Sequence, residues 1–191
     1  LFAPGTVAVA WSATTTHWLS RLPTTEGDSI AANLCSPAVR ARFAEQAADD
    51  WAAFLWARGE ELAVGGRLVM VEPCSHRDGI VGDEAVQAAM DAVLADLVRD
   101  GLLTAEQRSA MRLPFWMRTP TEYIDPIDDV PHLTVVRSEV VEHGPNPIEE
   151  AYDASGDAEA FADAFTGAMR AWSESMLFGS PDVAGVADEF Y

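Results

Sequence analysis

Lysine is missing from this chain altogether. All twelve basic residues are arginine, set against thirty-one Asp and Glu, for a formal net charge of −19. So acidic a surface, without basic clusters, offers nothing to a phosphate backbone or an anionic bilayer, and neither nucleic acid nor membrane is expected as a partner. No apolar run reaches the roughly 18 residues that mark a membrane span. The start, Leu1-Phe2-Ala3-Pro4-Gly5, lacks the charged n-region of a secretory signal. Cysteine is scarce: Cys35 and Cys74 lie in unrelated contexts and read as reduced thiols of a cytoplasmic protein.

Several chemistries are excluded in the same way. His17, His76, His132 and His143 fall at no metal-ligand spacing with one another or with the two cysteines, so no metal site is expected. No Gly-x-Gly-x-x-Gly occurs to cradle a phosphate. Cys74-Ser75-His76 places a thiol beside an imidazole, but i,i+2 neighbours in a loop rarely align, and no third group orients the base. The acidic run Glu122, Asp125, Asp128 and Asp129 reads as a solvated face rather than a cation site.

What is present reads as a folded domain: 191 residues, 49% of them hydrophobic, suffice for a real core. Val7 to Trp11 is a short β-branched and apolar run, expected as a buried strand. Ser36-Pro37 opens a helix whose apolar positions Val39, Phe43, Ala47, Trp51, Phe54, Leu55 and Leu62 recur at helical spacing. Gly65-Gly66 is expected to stop that helix before a second buried strand, Arg67 to Glu72. Gly82 to Arg99 predicts a second amphipathic helix, and Thr104 caps a short one reaching Met111. Leu113 to Pro120 is irregular and aromatic. Leu133 to His143 predicts a third strand. Asp157 opens a long helix striped with Phe161, Phe165, Met169, Trp172 and Met176; Gly179-Ser180-Pro181 breaks it, and a last helix runs to Tyr191. Strand, helix and strand in this order predict a parallel α/β sheet. Three strands are few for a doubly wound sheet, so the chain reads as the C-terminal two-thirds of a larger fold.

The chemistry-bearing residues cluster behind the first strand. His17 and Trp18 follow its end directly, and open α/β sheets bind ligands outside the carboxyl ends of their strands. An indole N–H and an imidazole there suit an acceptor-only ligand such as a carboxylate. The stretch from Leu1-Phe2-Ala3-Pro4 through Ser12-Ala13-Thr14-Thr15-Thr16-His17-Trp18-Leu19-Ser20-Arg21-Leu22-Pro23 resembles the SABATH family, the salicylate, benzoate and caffeine-type methyltransferases. Members read Leu-Phe-Pro, a strand, then Ser-Ser-Tyr-Ser-Leu-His-Trp-Leu-Ser and a proline. Arg58-Gly59-Glu60-Glu61-Leu62-Ala63-Val64-Gly65-Gly66-Arg67-Leu68-Val69 is similar to a second family segment. Leu113-Pro114-Phe115-Trp116 through Glu122 is similar to a third, and Asp188-Glu189-Phe190-Tyr191 to a fourth. The matches are in order and spread over nearly the whole chain.

The resemblance implies a Rossmann-like class I methyltransferase sheet, incomplete in this chain, with a helical cap. It places residues 1–80 in the core, 81–131 in the cap and 132–191 in a late core strand and helices, all one continuous fold. It implies S-adenosyl-L-methionine as cofactor, S-adenosyl-L-homocysteine as product, and a small, aromatic carboxylic acid as acceptor. Trp18, with His17 beside it, then holds the acceptor carboxylate. Phe115 and Trp116 supply aromatic walls, and Ser12, Ala13 and Thr14 approach the cofactor. Ala13 and Thr14 depart from the family's Ser and Tyr, which leaves open a non-catalytic binding or interaction module on the same fold. A homodimer is also compatible with the resemblance.

A carboxylate already ionised at neutral pH needs no base to accept a methyl group. Such a site works by orientation and exclusion of water, consistent with the lack of a nucleophile–base pair. For a ring-nitrogen or phenol acceptor, His17 would serve as general base.

Overall fold

The computed structural model describes residues 2–76, 81–142 and 144–191. Leu1 and His143 lie outside the described residues, and with His143 the end of the expected third strand.

Strand β1 (Val7–Ala13) and strand β2 (Leu62–Val71) pair in parallel, and helix α1 (Pro37–Glu61) lies between them in the chain. This is the strand–helix–strand unit that parallel pairing requires, since parallel neighbours need a long crossover. Helix α1 begins at Pro37, where a missing N–H costs nothing. Its buried apolar residues Val39, Phe43, Ala47, Trp51 and Leu55 recur every fourth position, one stripe down one face.

The glycine pair does something other than stop the helix. Helix α1 ends at Glu61 and β2 starts at Leu62, with no loop between them. Gly65 and Gly66 lie inside β2, where the register jumps from Val7↔Leu62 to Val9↔Arg67. The bulge needs them: Gly65 has φ +79°, and a Cβ on Gly66 would sit 2.8 Å from the carbonyl oxygens of both Ala63 and Val7.

Two further expectations are corrected. Neither strand is buried, because no described element covers Val9 and Trp11, which are 68% and 67% exposed, or Val69 and Val71, which are 39% and 51% exposed. The third strand is not formed over 133–142; Val136, Val140 and Val141 face solvent there. Strand propensity measures fit to a pleated, half-buried surface, and among the described residues no sheet edge takes this segment.

The remaining helices are α2 (Glu84–Arg99), α3 (Ala105–Ala110), α4 (Pro120–Ile124), α5 (Pro147–Ser155), α6 (Ala158–Leu177) and α7 (Ala187–Phe190). Thr104 caps α3 in a reciprocal box with Gln107, and the Asp157 carboxylate accepts from the Ala160 amide at 3.0 Å to start α6, as the sequence implies. Helices α4 and α5 were not anticipated, although both carry the signature: Thr119-Pro120 with Glu122, and Asn146-Pro147 with Glu149, form capping boxes. The last segment splits into a 3₁₀ turn, Ala184–Val186, and α7.

Among the described residues, three apolar clusters hold most of these elements. The largest joins Ile30, Ala31, Met90, Leu94, Leu97, Leu113, Phe115 and the ends of α6 and α7. A second gathers Leu19, Ala32, Cys35, Val39, Phe43 and Ala47, with Leu22 and Trp116 against it. The third is built on Trp51, Leu55 and Val130. Helix α1 spans the second and third, so one helix fixes both relative to β2. No helix of the described residues is long and apolar enough to cross a membrane.

Candidate active site

Parallel pairing brings the carboxyl ends of β1 and β2 side by side, and the turn Thr14–His17 grows from that junction. The Thr14 amide extends the ladder by donating to the Val71 carbonyl at 2.8 Å. Thr14 then takes φ +50°, a left-handed conformation strained for a β-branched residue. Such a residue reverses the chain so that the next two amides face back toward the end of β2.

Glu72, immediately after β2, receives them. Its Oε2 accepts from the Thr15 amide at 3.0 Å and the Thr16 amide at 3.1 Å, and its Oε1 accepts from the Thr15 hydroxyl at 3.3 Å. His17 Nδ1 lies 3.6 Å from Glu72 Oε2, an electrostatic contact rather than a hydrogen bond at that distance. Burial alone would push the Glu72 carboxyl up. The His17 imidazole and the amides of Thr16 and Thr15 outweigh it and hold the group below the ordinary carboxylate range.

A second charge grips the turn from behind. Arg118 is 1% exposed; its guanidinium donates to the Thr16 carbonyl at 2.6 Å and also to the Ala47 carbonyl of α1. The same guanidinium lies over the rings of Trp51 and Tyr123, 5.7 and 5.5 Å from their centroids.

Beyond the turn, the chain runs beside the Leu113–Thr119 segment. Trp18 and Phe115 form an isolated antiparallel bridge. The Leu19 amide donates to the Pro114 carbonyl at 2.7 Å, and the Trp116 amide to the His17 carbonyl at 2.8 Å. The rings follow from this pairing. Trp18 stands edge-on to Phe115 with centroids 5.9 Å apart, meets Trp172 of α6 at 5.9 Å and touches the His17 ring at 4.9 Å. Trp116 points the other way, against the second cluster, because successive side chains of an extended segment alternate.

The structure therefore brings His17, Trp18 and Phe115 together, with Ser12, Ala13 and Thr14 along the adjoining strand end. The Ser12 hydroxyl is tied to that of Thr15 at 2.5 Å. Three contributors escaped the sequence reading. Trp172 was visible only as one member of an apolar stripe. Arg118 lay inside the aromatic segment unremarked. Glu72 had one available signal: a carboxylate closing the apolar run 68–71. A groove of about 350 Å³, lined by Phe2, Pro4, Trp56, Ala57, Glu60 and Glu61, lies at the amino-terminal end of β1 and has no part in this arrangement.

Comparison with known proteins assigns the family. Residues 1–184 match the model of the S-adenosylmethionine-dependent carboxyl methyltransferase family. Gibberellic acid methyltransferase 2 of Arabidopsis thaliana is 32% identical over 145 residues, covering 67% of this chain and 38% of the relative. Salicylate carboxymethyltransferase of Clarkia breweri is 24% identical over 197 residues, covering the whole chain and 55% of the relative. The chain thus spans roughly half, or less, of the length of these curated relatives. The structure of loganic acid methyltransferase with SAH superposes with a TM-score of 0.72 at 18% identity, over 99% of this chain and 57% of that one, which shows the fold. With the family model matched by residues 1–184, nearly all of the chain, the chain belongs to the S-adenosylmethionine-dependent carboxyl methyltransferases.

Proposed function

We propose that the protein carrying this chain transfers a methyl group to the carboxylate of a small acid, and that this chain supplies the acceptor side of the site. The observation that carries the reading is the placement of His17 and Trp18 at the joined carboxyl ends of β1 and β2, with Phe115 and Trp172 packed around the indole. Relatives named for gibberellic acid, indole-3-acetate and salicylate share a carboxylic acid in those names.

In this reading the Trp18 indole N–H donates to the acceptor carboxylate, an acceptor-only group at neutral pH. His17 stands beside it, its Nδ1 turned to Glu72, and presents its other nitrogen to the same ligand. Phe115 and Trp172 form flat apolar walls that favour an aromatic acid and exclude water, while Trp116 supports the turn from behind.

Ser12, Ala13 and Thr14 fit one edge of S-adenosylmethionine. Ser12 and Ala13 have small side chains at a strand end, and Thr14 is exposed at its left-handed turn, so a ligand can approach the backbone closely. When bound, the cofactor supplies an activated methyl on a sulfonium. This chain's residues hold the acceptor oxygen in line with it, and no protein base is required for a carboxylate.

The test is calorimetric titration of S-adenosylhomocysteine into the whole protein, followed by a panel of carboxylic acids with labelled cofactor. Binding in the micromolar range, methylation of at least one acid, and loss of acid affinity in Trp18→Ala with the S-adenosylhomocysteine affinity kept are expected. A folded whole protein that binds no S-adenosylhomocysteine overturns the reading in favour of a non-catalytic binding module.

A further inference from the structure

A carboxylate 4% exposed at the centre of an active-site turn needs an account, because burying a charge is costly unless several partners compensate it. We propose that Glu72 is a positioning residue for the acceptor site: its carboxylate clamps the Thr14–His17 turn from one side while Arg118 clamps it from the other, and this holds Trp18 in its receiving orientation.

The turn cannot hold its shape unaided. Thr14 stores strain at φ +50°, and relaxing it would swing the Thr15 and Thr16 amides away from β2. Glu72 takes both amides, and Arg118 takes the Thr16 carbonyl. A single peptide segment is thus held on its donor side by a negative group and on its acceptor side by a positive one. Charge-assisted hydrogen bonds of this kind are about twice as strong as neutral ones.

The clamp reaches the indole through the backbone. The Trp18 amide donates to the Thr15 carbonyl at 3.3 Å, so fixing residue 15 fixes the turn that presents Trp18. The anchor is also well placed. Glu72 follows the last residue of β2, whose ladder with β1 runs to Val71↔Ala13, so anchor and turn share one rigid pair of strands. A mere ion pair with His17 would not explain the two backbone amides, which lie closer to the carboxylate, at 3.0 and 3.1 Å, than the His17 nitrogen at 3.6 Å.

The inference rests on the proposed function for its kinetic arm and stands apart from it for its structural arm. Glu72→Ala and Glu72→Gln are made in the whole protein. Amide hydrogen exchange at Thr15 and Thr16 is followed by NMR, and kcat and KM are measured with an acid accepted by the wild type. In Glu72→Ala, exchange at both amides rises about tenfold or more, and KM for the acid rises about tenfold with kcat held within about threefold. Glu72→Gln keeps one acceptor oxygen and falls between. Unchanged exchange, or an unchanged KM in a folded Glu72→Ala protein, overturns the proposal. If Glu72→Ala does not fold, Glu72→Gln decides by the same two readings. If no acid is methylated by the wild type, the functional reading fails, and the exchange rates still settle whether the clamp exists.

Discussion

Replacing Arg118 tests the site and the fold together. Its guanidinium satisfies the carbonyls of Thr16 and Ala47 and lies over Trp51 and Tyr123, at 1% exposure. In Arg118→Met the volume is largely retained, so cavity formation is a small part of the loss. Two carbonyls lose their donor in a buried setting, at about 1–3 kcal/mol each. The cation over two rings adds about 0.5–1 kcal/mol more. Part of the loss is recovered because a buried, incompletely paired charge is also removed; Arg118 Nε has no hydrogen-bond partner. The net expectation is about 2–4 kcal/mol, a large share of the roughly 5–15 kcal/mol of an ordinary domain. Urea titration followed by tryptophan fluorescence reads it directly, since Trp51 lies beneath the guanidinium. Arg118→Lys should recover about half, because one ammonium lacks the planar fork that reaches two carbonyls at once. A loss under about 1 kcal/mol in Arg118→Met would refute the reasoning, since such a value belongs to a surface residue.

Other outcomes follow from the same structure. Gly66→Ala puts a Cβ 2.8 Å from two carbonyl oxygens, so the β2 bulge must open; a loss of about 2 kcal/mol or more in unfolding free energy by urea titration is expected, whereas Gly185→Ala, with open space around it, should be nearly silent. Leu94→Ala at the centre of the largest cluster, 0% exposed, should cost about 2–5 kcal/mol by the same assay. Glu72 titrates below its ordinary value of 4.5 when folded, so its ionised form stabilises the fold fully above that value and progressively less as pH falls through the folded value. The stability gap between wild type and Glu72→Gln should therefore be widest near neutral pH and shrink below about pH 4.5 in urea titrations; a gap constant from pH 7 to 3 contradicts the assignment.

The local grammar was legible where one physical rule acted alone. The spacing of Val39, Phe43, Ala47, Trp51 and Leu55 gave α1, and Thr104 and Asp157 gave two helix starts. The His17-Trp18 pair was legible as a candidate site because strand ends in parallel sheets are where ligands go. The errors share a cause: local preference was read without its tertiary partner. Leu133 to Glu142 has the composition of a strand, but a strand exists only as a pair. Gly65-Gly66 has the composition of a helix stop, yet the requirement came from the neighbouring Val7 carbonyl across the sheet. Glu72 and Arg118 were invisible as site residues because their meaning lies in backbone groups 56 and 102 positions away, which no spacing rule connects.

The loopless passage from α1 into β2 has a consequence for how this family member can change over time. With Glu61 ending the helix and Leu62 opening the strand, residues 37 to 62 form a ruler with no slack. Inserting or deleting one residue in α1 would rotate everything beyond it by about 100° about the helix axis. The buried stripe would leave its clusters, or β2 would exchange its two faces and carry residue 72 away from the turn. Length variation should therefore collect in the segment between Pro23 and Asn33, which precedes the ruler, while the ruler itself drifts by substitution alone.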